Sequence, residues 1–418
     1  MDLFMNNGKS PVAIVLGGTN PHIELINQLK QRGYFVVLAD YLENPPARSV
    51  ADLHDRASTM DQDAILELAK KHDAKLVITA CVDQANITAC FVAEKLGLTH
   101  PYSYEIAQKI TNKGFMKQVM SEHHIPTTKF YYLEKGENLP SFDLKYPVMV
   151  KPADSCAASG VKKASNAEEL AQFLQEAKNV SRTGRTVVEE FFEGTEVSAY
   201  CFVQDGMANV IMVSERLSVI EGEKLVLKCY ATVTPPAISN TAMAKLKQAS
   251  TAIANAFNLD NTPLHVQAII NGDDISIIEF APRVGGGISY RTIRENTGFD
   301  IISATIDSYL QKRVALSYHD ITCYQCVDII YGKPGVFDHI TGVDELVKDG
   351  VIEGFHFHKT KGMTLSNDRA SAGRIGAFIV TGHTRTEIGE KVALAMERLE
   401  AFSAEGTPML RKDLYFKP

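Results

Sequence analysis

The chain has 418 residues, 45% of them hydrophobic and 22% charged. That sets it among globular proteins with room for about two to four domains. Its net charge of −7 gives no electrostatic reason to expect nucleic acid or an anionic membrane as a main partner. No apolar run is long enough to span a bilayer, and residues 1–11 carry no basic segment leading into an apolar core, so neither a membrane anchor nor a signal peptide is expected.

In chain order, Val12-Ala13-Ile14-Val15-Leu16 reads as a buried parallel strand. Gly17-Gly18 then turns the chain into a helical pattern (Ile23, Ile26, Leu29) that ends near Gly33. That turn lacks the full spaced-glycine dinucleotide pattern, and a tight strand-to-helix turn explains it as well as a binding role does. Residues 35–39 and 75–80 read as further strands, and 61–72 and 87–96 as helices. Strands alternating with helices predict a doubly wound α/β domain over the first hundred or so residues.

A helix is expected over 112–123, then a strand-rich unit over 129–202 that contains a helix at 167–177. A long helix at 240–257 follows, then a hairpin around Asn271-Gly272-Asp273-Asp274 and a helix at 301–311. Beyond about residue 314 the pattern changes to short strands and glycine turns, with a last helix at 387–399. The seven cysteines are odd in number and scattered, which suits reduced thiols and a cytoplasmic location. Cys323 and Cys326 have no second pair of matching spacing and read as ordinary strand thiols.

Chemistry concentrates in the middle of the chain. Lys151 ends an apolar run (Val148-Met149-Val150) and opens a loop of small residues that includes Ser155, Ser159 and Gly160. Such a loop lets backbone N–H groups converge on phosphate oxygens while the lysine adds a point charge. A lysine ending an apolar strand also calls for an anion nearby. Lys113 opens the helix at 112–123; Lys117, one turn later, is read as a surface residue. Then come Val188-Glu189-Glu190-Phe191-Phe192-Glu193-Gly194-Thr195-Glu196, Gln267, Glu279-Phe280-Ala281-Pro282-Arg283 and Val284-Gly285-Gly286-Gly287.

This series resembles the ATP-grasp superfamily. The Pro-Arg-x-Gly-Gly-Gly stretch resembles its carboxylate–amine ligase branch, the L-amino-acid ligases in particular. The resemblance implies α/β and α+β architecture in three parts. These are an N-terminal doubly wound domain (1–110), a two-lobed ATP-grasp domain (111–313) and a small C-terminal α+β closing domain (314–418). It implies an ATP-dependent ligase that joins a small carboxylate to an amine through an acyl phosphate. Enzymes that form carboxyphosphate or formyl phosphate share these motifs, as would a nucleotide-binding protein that has lost turnover.

By the same resemblance, Lys113, Lys151, Ser155, Ser159 and Gly160 meet the nucleotide phosphates. Glu189, Glu190 and Phe192 meet adenine, and Glu196 meets the ribose. Gln267 and Glu279 hold Mg2+, with Mn2+ as an alternative ion. Ala281 stands where the family usually has an asparagine ligand. Lys151 and Arg283 act at the reacting phosphoryl group, and Gly285, Gly286, Gly287 and Arg291 meet the substrate. Partners are small molecules, with a homodimer as the usual assembly. His356 and His358, at strand spacing, read as solvated or substrate-rim residues.

One expectation is geometric. Gln267 and Glu279 share a sheet face only if the connecting loop has an odd number of residues or a β-bulge intervenes.

Overall fold

The computed structural model describes residues 10–140, 143–155, 160–221 and 226–418. Strands β1 (Val12–Leu16), β2 (Phe35–Ala39), β3 (Leu53–Asp55) and β4 (Ala74–Ile78) form a parallel sheet of order β3-β2-β1-β4. The helices between them are α1 (Asn20–Gln31), α2 (Gln62–Lys71) and α3 (Asp83–Leu96). Strand β1 is buried along its whole length, as its unbroken apolar run requires. At the turn before α1, the Pro45 ring packs so close to Gly18 that an added Cβ would meet its own Cβ at 2.5 Å.

Two short helices, α4 (Tyr104–Ile110) and α5 (Lys113–Glu122), lead into the next unit. There β5 (Phe130–Leu133), β6 (Val148–Pro152), β7 (Lys162–Ala164) and β8 (Thr186–Glu190) make an antiparallel sheet of order β5-β8-β6-β7. Helix α6 (Ala167–Val180) covers it, and Leu133, Val148, Val150, Leu170, Phe173 and Val188 give this lobe its own core.

The largest sheet has eight strands. Its first five are β9 (Thr195–Gln204), β10 (Met207–Glu221), β11 (Val226–Thr234), β12 (Thr262–Asn271) and β13 (Asp274–Ala281). Helix α7 (Asn240–Ala256) packs on one face through Leu246, Ala249 and Ile253. Helices α8 (Ser289–Thr297) and α9 (Ile301–Tyr309) join the N-terminal sheet in one core that also takes in Tyr200, Phe202 and Met212.

Beyond them come β14 (Tyr324–Tyr331), β15 (Gly335–Thr341), α10 (Val343–Lys348), β16 (Gly354–Phe357), β17 (Thr364–Leu365), α11 (Ala370–Gly373), β18 (Arg374–Gly382), α12 (Arg385–Arg398) and β19 (Glu400–Ser403). Strands β14, β18 and β16 extend the large sheet, giving the order β13-β12-β9-β10-β11-β14-β18-β16, while β17-β15-β19 is separate. The sheet therefore runs on across residue 314. The α/β and α+β architecture expected from the sequence is present. Short α4 and α8, and the long β10–β11 pair, were not among the elements read from it. Cys326 is a buried thiol on β14, and Cys323 lies just before that strand.

Candidate active site

Glu279 is the centre of the site. The hairpin between β12 and β13 closes over two residues, since Asn271 pairs with Asp274. Such a loop alone would put Gln267 and Glu279 on opposite faces. The register shifts after Gln267, however. Ala268 pairs with Ile277 and Gln267 with Glu279, so Ile278 is the extra residue of a β-bulge. The two side chains therefore share the face that fronts the small lobe, as the alternation rule required.

Lys113 reaches that face from the small-lobe side. Asn112 caps α5 by accepting from the backbone N–H groups of Gly114 (3.0 Å) and Phe115 (3.2 Å). The Lys113 backbone N–H donates to the Ala153 carbonyl at 3.0 Å, which ties the helix start to the end of β6. Its ammonium lies 2.9 Å from Glu279 Oε2 and donates to the Ser155 carbonyl at 2.8 Å. Burial pushes the Glu279 carboxyl up, but Lys113, Lys151 and Arg283 outweigh it and hold the group down at about 2. Glu279 is thus ionised, with 32% of its side chain exposed to the cleft.

Gln267 Nε2 donates to Glu196 Oε1 at 3.0 Å, which turns its carbonyl oxygen the other way. Glu196 also accepts from Arg216 Nε at 2.7 Å. The oxygens of Glu279 and Gln267 suit a hard cation that keeps several of its waters, such as Mg2+. Ala281 offers none. Opposite Ala281 stands His265, stacked on Tyr200 at 5.2 Å between ring centroids. Burial, then Arg283 and Arg216, push the His265 imidazole down to about 3, so it is neutral.

Lys117 corrects the reading made from sequence. It is not a surface residue: only 2% of its side chain is exposed. It sits on the inward face of α5 beside Gly114 and Met120. Its ammonium pairs with Glu189 Oε2 and donates to Thr127 Oγ1 (2.7 Å) and Thr128 Oγ1 (3.2 Å). Lys151 pairs with the other oxygen, Glu189 Oε1. One buried carboxylate on the middle of the small-lobe sheet thus joins two lysines from different elements. Burial pushes the Glu189 carboxyl up, yet Lys151 and Lys117 hold it down at about 2. Both oxygens are occupied, so any influence of Glu189 on a nucleotide runs through the lysines. Glu190 points the other way, accepting from the Lys145 backbone N–H at 3.3 Å. Phe192 lies just past β8, beside Phe191, whose ring carries Lys163 at 3.7 Å.

Arg283 leaves β13 toward the N-terminal domain. Its Nε and Nη2 donate to Asp83 Oδ1 (2.6 Å) and Oδ2 (3.0 Å), a bidentate clamp on the first residue of α3. Gly285 follows under the Tyr200 ring, where an added Cβ would lie 2.5 Å from a ring carbon and 2.8 Å from Ser289 Oγ. Gly287 has φ +68, which a side chain would disfavour, and it delivers the chain into α8. Gly286 and Gly287 are exposed to the cleft.

Arg291, in the first turn of α8, bonds Glu295 Oε1 at 2.5 Å and His356 Nε2 at 2.9 Å. His356 and His358 are both partly buried, and His356 has a partner in Arg291. Gly160, with φ +74, approaches the Pro152 ring. Ser159 lies outside the described residues, as does most of the small-residue loop.

Asp83, His265 and Lys117 were the residues missed. Lys117 had a signal, since it stands three residues from both Gly114 and Met120 on the buried stripe of its helix. Asp83 had none, being 200 positions from its partner.

The ATP-grasp domain family profile matches residues 144–291, and that of L-amino acid ligase C-terminal domain 2 matches residues 329–401. The chain thus carries an ATP-grasp domain followed by a C-terminal domain of the L-amino acid ligase kind.

The L-amino acid ligase from Bacillus licheniformis superposes with a TM-score of 0.76 at 17% identity, covering 94% of this chain and 99% of that one. Phosphoribosylglycinamide synthetase from Anaerococcus prevotii gives 0.75 at 19% identity, covering 94% and 100%. The trifunctional purine biosynthetic protein adenosine-3 of Homo sapiens is 28% identical over 344 residues, 75% of this chain. The match spans only 32% of that longer protein. No helix among the described residues is long and apolar enough to cross a membrane.

Proposed function

We propose that this protein is an ATP-dependent carboxylate–amine ligase that releases ADP and phosphate, with amino acids as the leading substrate class. The observation that carries the reading is the ionised Glu279, which contacts Lys113 and faces Gln267 across the bulged hairpin, with Lys151 and Arg283 near enough to act on its charge. In this reading a substrate carboxylate oxygen attacks the γ-phosphorus of ATP. The bond to the β-phosphate oxygen breaks, and an acyl phosphate and ADP result. An amine nitrogen then attacks the acyl carbon, the C–O bond to phosphate breaks, and the amine loses a proton as the amide forms.

Mg2+ would be held by Glu279 and Gln267, and when bound it offsets the charge on the transferred phosphoryl group. Lys113 and Lys151 position the phosphates from the small lobe. Arg283, held in place by Asp83, stabilises charge on the transferring group and on the acyl oxygen. The exposed backbone at Gly286 and Gly287 lets the substrate carboxylate approach closely. Nothing in this scheme requires a covalent bond to the protein. ATP and Mg2+ fit the donors present, and Mn2+ fits the same oxygen set.

The test is phosphate and ADP release over a matrix of carboxylic acids and amines, with mass detection of the products. Amide formed in step with ADP supports the reading. Tight ATP binding without Mg2+-dependent ADP formation over the whole matrix overturns it.

A further inference from the structure

A cavity of about 380 Å³, the size of small-molecule sites, opens where the C-terminal end of α8 meets the start of β14, the end of β18 and the start of α12. None of the residues that line it has a place at Glu279, Glu189 or Arg283. Glu295, on its wall, stands about 9 Å along the α8 axis from Ser289, where the helix leaves the glycine turn.

The wall is anionic. Glu295, Glu353 and Glu387 line it, against one ammonium, on Lys391, and the His383 imidazole. Lys391 is already engaged: its Nζ donates to the Thr381 carbonyl at 2.7 Å and lies 3.1 Å from Glu387 Oε1. The Thr381 hydroxyl donates to Glu353 Oε1 at 2.5 Å, and Gln325 Nε2 donates to Glu295 Oε2 at 3.3 Å. These donors of the wall are thus turned to its own acceptors.

Asn296 shows what the wall still lacks. It is only 6% exposed. Its Nδ2 donates to the Thr292 carbonyl at 2.8 Å and to Gln325 Oε1 at 2.7 Å. A carbonyl only accepts, so the amide cannot be turned around. Its Oδ1 is therefore left at the cavity, with no hydrogen-bond partner among the described residues. A buried acceptor without a donor is costly. The second oxygen of Glu353 has no partner among the described residues either. Among those residues no group of His, Cys, Asp and Glu side chains is placed to hold a metal ion. An organic cation that carries N–H donors answers both the charge and the unpaired oxygens.

We propose that this cavity is a second binding site, separate from the phosphoryl-transfer centre, for a small organic cation: the ammonium or guanidinium group of a free amine or basic amino acid. The cation donates to Asn296 Oδ1 and Glu353 Oε2, and the neighbouring carboxylates of Glu295 and Glu387 offset its charge. A ligand there ties α8, which begins at the glycine turn, to β18 and α12. The proposal stands apart from the ligase reading.

Cys323 supplies the probe, since it lines the same cavity and is partly exposed, whereas Cys326 is buried. The full chain is treated with cationic aminoethyl methanethiosulfonate or with anionic sulfonatoethyl methanethiosulfonate, and modification of Cys323 is followed by peptide mass spectrometry. Each rate is divided by that reagent's rate with a neutral free thiol. The cationic reagent is expected to be favoured by about tenfold or more, the enrichment that a cleft of one sign gives a counter-ion. Glu353→Gln should reduce the preference and Glu353→Lys should abolish it. Glu353 is exposed, so both variants are expected to fold, which a thermal melt checks.

L-arginine against L-citrulline and L-lysine against L-norleucine then serve as protectants. The charged member of at least one pair should slow labelling of Cys323 while its neutral counterpart does not, and which pair does so separates guanidinium from ammonium. The concentration giving half the effect should rise about tenfold in Glu353→Gln, the loss expected for a hydrogen bond to a charged group. Equal normalised rates for the two reagents overturn the proposal, as does a preference unchanged in both Glu353 variants or the failure of every amine to protect. No turnover is involved, so the ligase reading can fail while this one holds, and the reverse.

Discussion

Gln267 stands directly across from Glu279, and it does so because Ile278 is squeezed out of the ladder as a bulge. Two oxygen-bearing side chains on one face are what a hydrated divalent cation needs, and the chain reaches that arrangement through one extra residue. Glu279→Gln is expected to lower Mg2+-dependent ADP formation by about 10²–10³-fold, the range seen when one electrostatic stabiliser is lost. Gln267→Ala should weaken Mg2+ by about 10–100-fold and be partly rescued by raising its concentration. Titrating Mg2+ into initial-rate assays of both variants checks this; an unchanged Mg2+ dependence in either counts against the assigned ligands.

Lys117 gives a prediction about stability. Removing one partner of a buried ion pair costs about 3–5 kcal/mol, because a charge is left uncompensated. Lys151 still pairs with Glu189, so Lys117→Met should fall toward the lower end, about 3 kcal/mol by urea unfolding. Lys117→Met/Glu189→Gln should cost less than the two single changes added together, since both break the same Lys117–Glu189 contact. A double variant worse than the sum of the two single changes would contradict the coupling drawn between them.

How much of this could be read in advance differs by residue. Helix α5 and its cap at Asn112 follow from short-range pattern, and so does the strand that ends at Lys151. The bulge followed from parity, because counting residues between Gln267 and Glu279 left few ways to bring them to one face. The Arg283–Asp83 clamp was invisible, as no local pattern links positions so far apart in the chain. The burial of Lys117 was hidden by its residue type, for a lysine is almost never buried unless paired, and its pair lies on another element. The same limit concealed the contact between Arg291 and His356.

Asp83 acts on Arg283 and should leave the nucleotide alone. Asp83→Asn keeps the shape but lowers the charge and breaks the matched two-point clamp. The expected result is a fall in kcat, on the order of 10²-fold from misplacement of the guanidinium, with little change in KM for ATP. Arg283→Lys should not restore function, since an ammonium cannot make the two-point contact. Equal losses in kcat and in ATP affinity would argue for a purely structural role.

Gly285 is where the backbone passes closest to the Tyr200 ring. An added methyl group must move that ring or shift the start of α8, an overpacking change of about 1–3 kcal/mol. Gly285→Ala should therefore raise KM for the carboxylate substrate more than KM for ATP, because the disturbed turn leads to Gly286 and Gly287. Steady-state kinetics with each substrate varied in turn, beside a thermal melt, separates the local effect from general destabilisation.

The last prediction concerns pH. Asp328 is fully buried on β14; one oxygen accepts from the Phe416 backbone N–H at 2.7 Å, and the other has no partner among the described residues. Burial pushes its carboxyl up to about 8, with the Phe416 contact pulling the other way. Between the ordinary value of 3.8 and about 8 the folded state holds a proton that the unfolded state has lost. Stability therefore falls with rising pH over that range, by about 1.4 kcal/mol per unit from this group.

Three histidines act in the opposite sense. Burial lowers His22 and His358 to about 4 and His265 to about 3, so the unfolded state binds more protons than the folded one up to 6.5. The carboxyls of Glu189 and Glu279, held at about 2, contribute fully above 4.5 and lose their effect as pH falls through that value toward 2. Urea unfolding should therefore show stability climbing to a maximum near pH 6.5 and declining toward 8. Asp328→Asn should abolish the decline while leaving the climb in place. A decline that persists in the variant would mean that another group carries it.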